Sequence, residues 1–166
     1  MKRLLLVPGL VVVAVACSSS SDLPPEDLTG SYTINVTNRE NGCNFQNWTV
    51  GQSSANIPFT ITQQGSNGIT GSVGGAAGLY LDAILATHTF SGSVSGPTGT
   101  MTATGSRSLS QGNCAYTLNA NAVISLSGNT INGSITYVPQ TNKGSDCGVL
   151  NTCTSRQELS GSRPPK

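Results

Sequence analysis

From residue 28 onward the chain alternates apolar and polar side chains with a period of two. Tyr32, Ile34 and Val36 are separated by Thr33 and Asn35, and Ile57, Phe59 and Ile61 by Pro58 and Thr60. Ile84, Ala86, His88 and Phe90 alternate with Leu85, Thr87 and Thr89, and Met101 and Ala103 with threonines. Tyr116, Leu118, Ala120, Ala122 and Ile124 form the longest such run, followed by Ile131, Ile135 and Tyr137. On a strand, residues two apart share a face, so each run predicts a strand with one apolar face. Almost no stretch after residue 27 carries a helical period. The expectation is an all-β chain whose strands bury one side, as a single curled sheet or as two sheets packed face to face.

A short repeat runs through this pattern. Leu28-Thr-Gly30-Ser-Tyr32, Ile69-Thr-Gly71-Ser-Val73, Phe90-Ser-Gly92-Ser-Val94 and Ile131-Asn-Gly133-Ser-Ile135 share one signature, with Leu159-Ser-Gly161-Ser162 a partial fifth copy. Each sets a glycine between two apolar residues on the same strand face. Glycine inside a strand weakens it unless the chain bends tightly or a neighbour approaches closely there. A small, strongly coiled barrel requires such bends.

The connections point the same way. Gly65-Ser-Asn-Gly68, Gly96-Pro97 and Ser127-Gly-Asn129 have tight-turn chemistry, whereas 37–56, 74–83, 106–113 and 138–153 are long links. Short and long connections alternate, so an up-and-down meander places every long loop at one end. The predicted fold is an antiparallel barrel of about eight strands. In this layout it resembles the calycin class, lipocalins and avidins among them, by architecture alone. The lipocalin Gly-x-Trp opening is missing, and Trp48 is the only tryptophan. A Greek-key β-sandwich is the alternative, since alternation alone does not separate the two.

The N-terminus carries a different signal. Met1-Lys2-Arg3 is followed by an apolar run to Ala16 of about a dozen residues, too short to span a bilayer as a helix. It ends in Ala14-Val15-Ala16-Cys17, which resembles the lipobox of bacterial lipoproteins with type II signal peptides. The resemblance implies cleavage before Cys17 and lipid attachment there. The expected organisation is a signal peptide at 1–16, a lipidated cysteine with a Ser- and Pro-rich tether at 17–28, one β-domain at 29–163 and a tail at 164–166. The implied location is the bacterial cell envelope, with Ser18 after the cysteine favouring the outer membrane by the enterobacterial sorting pattern.

Charge narrows the partners. Only 9% of residues are charged, and without 1–16 the remaining 150 residues carry six basic against seven acidic side chains. Nothing concentrates positive charge, so nucleic acid is not an expected partner. Cys43, Cys114, Cys147 and Cys153 form an even set in an exported chain, which reads as two disulfides. Meander topology predicts Cys43–Cys114 and Cys147–Cys153, both at the long-loop end. A zinc site is not expected, because no CxxC pair occurs and His88 is the only histidine.

No motif carries catalysis. His88 should face inward between Ala86 and Phe90 with no Gly-x-Ser-x-Gly nucleophile elbow to serve. Glu40, Asp82 and Asp146 fall in the long links as solvated charges. Neither a cofactor nor a metal is implied, and no enzyme activity is expected. Phe45, Trp48 and Tyr80 lie in the long loops, where large aromatics either cap a barrel end or anchor a ligand. The expected function is a membrane-anchored, non-enzymatic binding or structural module with the long-loop end as its contact surface. Expected partners are an envelope or extracellular protein, a glycan or a small apolar molecule. An inhibitor of a secreted hydrolase and a carrier of apolar ligands are the specific alternatives.

Overall fold

Among the described residues, nine strands and two short helices follow in chain order: β1 (Gly30–Asn41), β2 (Ser53–Gln64), β3 (Gly68–Val73), α1 (Gly75–Leu85), β4 (Thr89–Ser95), β5 (Thr98–Thr104), β6 (Leu109–Gln111), β7 (Cys114–Ser127), β8 (Thr130–Thr141), a 3-10 helix (Ser145–Asn151) and β9 (Ser155–Ser162). They come from a computed structural model, which describes residues 25–165. The segment 1–16, Cys17 and the tether as far as Pro24 lie outside the described residues.

Each long strand pairs antiparallel with its neighbour in sequence, β5 pairs with β7, and β9 returns to pair with β1. The sheet is therefore closed, an eight-stranded up-and-down barrel, and the sandwich alternative falls away. Short β6 is an extra ribbon on the first residues of β7. Closure leaves the barrel with no free edge to pair with another chain. From Thr62, one residue past the partner of Gly30, successive partners run through Thr70, Ser91, Thr102, Asn121, Thr136 and Arg156 to Glu40. The path rejoins β1 about ten residues farther along, a stagger that demands strongly tilted strands.

The alternation read from the sequence is the inside–outside pattern of the barrel. Tyr32, Ile34, Val36, Ile57, Phe59, Ile61, Met101, Ala103, Leu118, Ala120, Ala122, Ile124, Ile131, Ile135 and Tyr137 are all buried. Four of the five repeated glycines divide into two kinds. A methyl group on Gly92, Gly133 or Gly161 would strike a carbonyl of the adjacent strand, at Thr100, Val123 and Thr33 respectively. Gly71 instead leaves room for core side chains, since its Cβ would sit 2.8 Å from the Phe59 ring and 3.1 Å from the Met101 sulfur.

The tight-turn end is closed. Leu28, assigned to the tether by composition, is fully buried there, and Tyr32 donates its hydroxyl proton to the Leu28 carbonyl at 2.8 Å. Gly99 faces Leu28, Ile69 and Ile124 with no room for a side chain. Glu26 N–H donates to the Gly96 carbonyl, and the Arg163 guanidinium lies 5.5 Å from the Tyr32 ring centre. The chain thus enters the barrel at the end opposite its long loops.

Three expectations are corrected. Residues 84–88 are not a strand: Ile84 and Leu85 close α1, and Ala86 ends it in the left-handed region at φ 64°. Gly78, Leu81 and Leu85 are its buried residues, a spacing of three to four that period-two reading overlooked. His88 accordingly does not point inward; it lies in the link to β4 with its side chain 44% exposed. Strands β1 and β8 also run farther than the long links allowed, to Asn41 and Thr141.

The disulfides join the four predicted cysteines in another pairing, Cys43–Cys153 and Cys114–Cys147. The register explains it. Asn41 of β1 is paired with Ser155 of β9, so the residues just beyond them, Cys43 and Cys153, meet. Tyr116 of β7 is paired with Thr141 of β8, which brings the loop after β8 to Cys114. Strand adjacency across the barrel seam outweighs nearness in sequence. Both bonds do lie at the long-loop end, around buried Leu150.

Candidate binding site

At the long-loop end the barrel opens into a cavity of about 1120 Å³. Its floor is the inner wall of the barrel, Ile34, Ile57, Leu118 and Ile135, and one side is α1 through Ala77, Leu81 and Ile84. The helix takes this position because Gly74 N–H donates to the Pro58 carbonyl and Ser106 N–H to the Leu85 carbonyl, fastening both of its ends to the rim.

The opposite side is the loop between β1 and β2. Asn41 organises it: its side-chain oxygen accepts the Phe45 N–H at 2.8 Å while its side-chain nitrogen donates to the Phe45 carbonyl at 2.9 Å. An Asn side chain mimicking a backbone strand in this way fixes a turn without help from neighbouring elements. Cys43–Cys153 anchors the loop to the start of β9. The indole of Trp48 then packs 6.1 Å from Phe45 and edge-on to Tyr137, with ring centres 5.7 Å apart. Its Nε1–H is buried without an acceptor among the described residues.

Phe45, Trp48 and Tyr80 therefore all line one cavity, with Tyr80 on the rim and 55% exposed. Sequence reasoning did not single out the polar residues that share it. Tyr137 donates its hydroxyl proton to Gln157 Oε1 at 2.9 Å, and Gln157 Nε2 donates to Asn38 Oδ1 at 2.7 Å. This chain climbs the inner wall over β8, β9 and β1. Its signal in the sequence was an amide where alternation puts an inward residue, Gln157 between Ser155 and Leu159. Burial pushes the Tyr137 hydroxyl above the ordinary tyrosine range, and nearby Tyr80 adds to the rise.

Among the described residues, none that lines the cavity is charged. Charges gather elsewhere: Arg39 donates to Glu158 at 2.7 Å and Arg156 to Glu158 at 3.0 Å on the outer face of β1 and β9. The Arg39 hydrogen bond, against a smaller desolvation effect, holds the Glu158 carboxyl below the usual range. Asp82 lies 2.9 Å from His88 Nδ1, Asp146 accepts the Asn113 N–H at 2.7 Å, and Glu40 is 3.5 Å from Arg156. The three carboxylates expected in loops thus each have a different partner, and two of them lie instead on regular elements, Glu40 in β1 and Asp82 in α1. Among the described residues no group of three or more His, Cys, Asp or Glu side chains is disposed to hold a metal. Comparison with protein families, curated proteins and solved structures finds no match to this chain.

Proposed function

We propose that this chain is a lipid-anchored envelope lipoprotein whose barrel is a non-enzymatic binding module, taking a small, largely apolar ligand into its mouth. The observation that carries this reading is the open cavity at the long-loop end. Ligand sites are concave, mostly apolar and provided with a few convergent polar groups, commonly in the mouths of β-barrels, and measure about 300–1,000 Å³. Aliphatic floor, aromatic wall and the hydrogen-bonded Tyr137–Gln157–Asn38 chain support that reading. Two disulfides and the Asn41 turn hold the rim before any ligand arrives, which lowers the entropy lost on binding.

N-phenyl-1-naphthylamine, an uncharged apolar fluorophore, tests the reading on the soluble domain. Saturable binding should change the emission of Trp48, the only tryptophan, and Ala77→Phe should weaken binding at least about tenfold by filling the mouth. Absence of binding, or equal binding by a well-folded Ala77→Phe variant, overturns it.

A protein partner seated on the rim is the second reading, favoured by one observation. Val50, Leu79 and Val149 come from three different mouth connections and are 63%, 72% and 45% exposed. Inhibition of a secreted hydrolase belongs to this reading, and a pull-down from native envelope with Leu79→Asp as control tests it.

A further inference from the structure

The wall of the cavity is polar in places, yet its polarity is entirely that of amides and hydroxyls. Asn, Gln, Ser and Tyr side chains supply it, among them Asn38, Gln52, Gln111, Gln157, Tyr116 and Tyr137, and no Asp, Glu, Lys, Arg or His is among the described lining residues. Among the described residues the charges lie outside it, including those on the outer face of β1 and β9 and Asp82 on α1. A ligand carrying a carboxylate, phosphate or ammonium would have to leave water and meet no counter-charge in the cavity. Uncompensated burial of that kind is among the most costly steps in binding.

We infer that the ligand is electrically neutral, an apolar body bearing one or two hydroxyl, carbonyl or amide groups that exchange hydrogen bonds with the Tyr137–Gln157–Asn38 chain. This rests on the binding-module reading and narrows it to a ligand class. Three features support the assignment. The polar chain is self-satisfied, Tyr137 to Gln157 to Asn38, so the cavity is stable without a ligand. Its amides and hydroxyl also keep unused lone pairs, so an uncharged group can join without breaking it. Finally, the surroundings of Tyr137 disfavour a phenolate, and the same desolvation disfavours a bound carboxylate.

The test is displacement of N-phenyl-1-naphthylamine by three ligands of equal chain length: decanol, decanoic acid and decylamine, at neutral pH. Decanol should compete at least about tenfold more strongly than either charged relative. Gln157→Glu places a carboxylate on the inner wall and should invert the order of alcohol and amine. If the acid or the amine competes as well as the alcohol, the neutrality inference is wrong and the binding-module reading survives. The inference fails in the same way if none of the three competes while the fluorophore binds. If the fluorophore itself fails to bind, the reading falls and the inference with it.

Discussion

A glycine on the inner face of these strands means one of two things at Gly71, Gly92, Gly133 and Gly161, and the difference lies in what stands beside it. At Gly92 a methyl group would enter the Thr100 carbonyl of the paired strand, which backbone cannot evade cheaply. Gly92→Ala should cost about 1–3 kcal/mol through forced strand displacement. Ser91→Ala, one residue away and exposed, should stay within about 0.5 kcal/mol. Urea unfolding of both variants checks this, and equal stabilities would refute the close-approach role. The repeat itself was readable because glycine recurs at the same place in the apolar alternation. Which copies press on backbone and which make room for Phe59 and Met101 was not, since that depends on neighbours far apart in sequence. Tyr137 gives a second test at this scale. Its hydroxyl stays protonated in the folded state at a pH where the unfolded chain loses that proton. The unfolded state then binds fewer protons, so stability falls as pH rises above about 10. Tyr137→Phe removes this linkage, and its alkaline unfolding midpoint, followed by circular dichroism, should lie at higher pH than that of the parent chain.

Among the elements, strands were legible and the helix was not. Ile57, Phe59 and Ile61 announce β2 by simple alternation, whereas Gly75–Leu85 mixes small and apolar residues so that both periods can be traced through it. Tertiary fastening of its ends decides the matter. His88, freed from the strand it was expected to occupy, merely tethers the link after α1 to Asp82, and both partners are more than 40% exposed. His88→Gln should therefore alter stability by less than about 1 kcal/mol and leave fluorophore affinity unchanged. Loss of binding in a folded His88→Gln variant would move His88 into the site. The disulfide pairing failed to emerge from sequence for a related reason: Cys43–Cys153 follows the seam between β1 and β9, the most distant pairing in the chain, and Cys114–Cys147 follows the β7–β8 register. Non-reducing peptide mapping should recover Cys43–Cys153 and Cys114–Cys147. The bonds close loops of 110 and 33 residues, and the chain-entropy model gives about 5 and 4 kcal/mol respectively. Double replacement by Ser should thus destabilise the domain strongly in either case, with a larger effect at the rim loop that carries Trp48.

At the scale of the whole molecule the barrel has two unlike ends, and the chain enters at the one opposite the cavity. Leu28, Ile69 and Ile124 seal the end where the chain enters, while α1 and the disulfide-bound loops frame the other. Strand β7 has 14 residues, and at about 3.3 Å per residue and a tilt of 35–45° it gives the barrel a height of roughly 33–38 Å. A lipid on Cys17 would hold the closed end toward the bilayer and leave the mouth facing away from it. That arrangement separates the two properties, attachment and binding, and makes them independently removable. On the proposed reading Cys17→Ala should shift the protein from the membrane to the soluble fraction, because acyl chains on Cys17 would supply the membrane affinity. The released domain should bind N-phenyl-1-naphthylamine with unchanged affinity, since the aromatic wall and the amide chain are built at the end opposite the one where the chain enters. Fractionation with fatty-acid labelling reads the first property and fluorescence titration the second. Retention of Cys17→Ala protein on the membrane would refute the anchor. Weakened binding in the released, folded domain would instead mean that the membrane takes part in the site, and the two-ended picture would have to be abandoned.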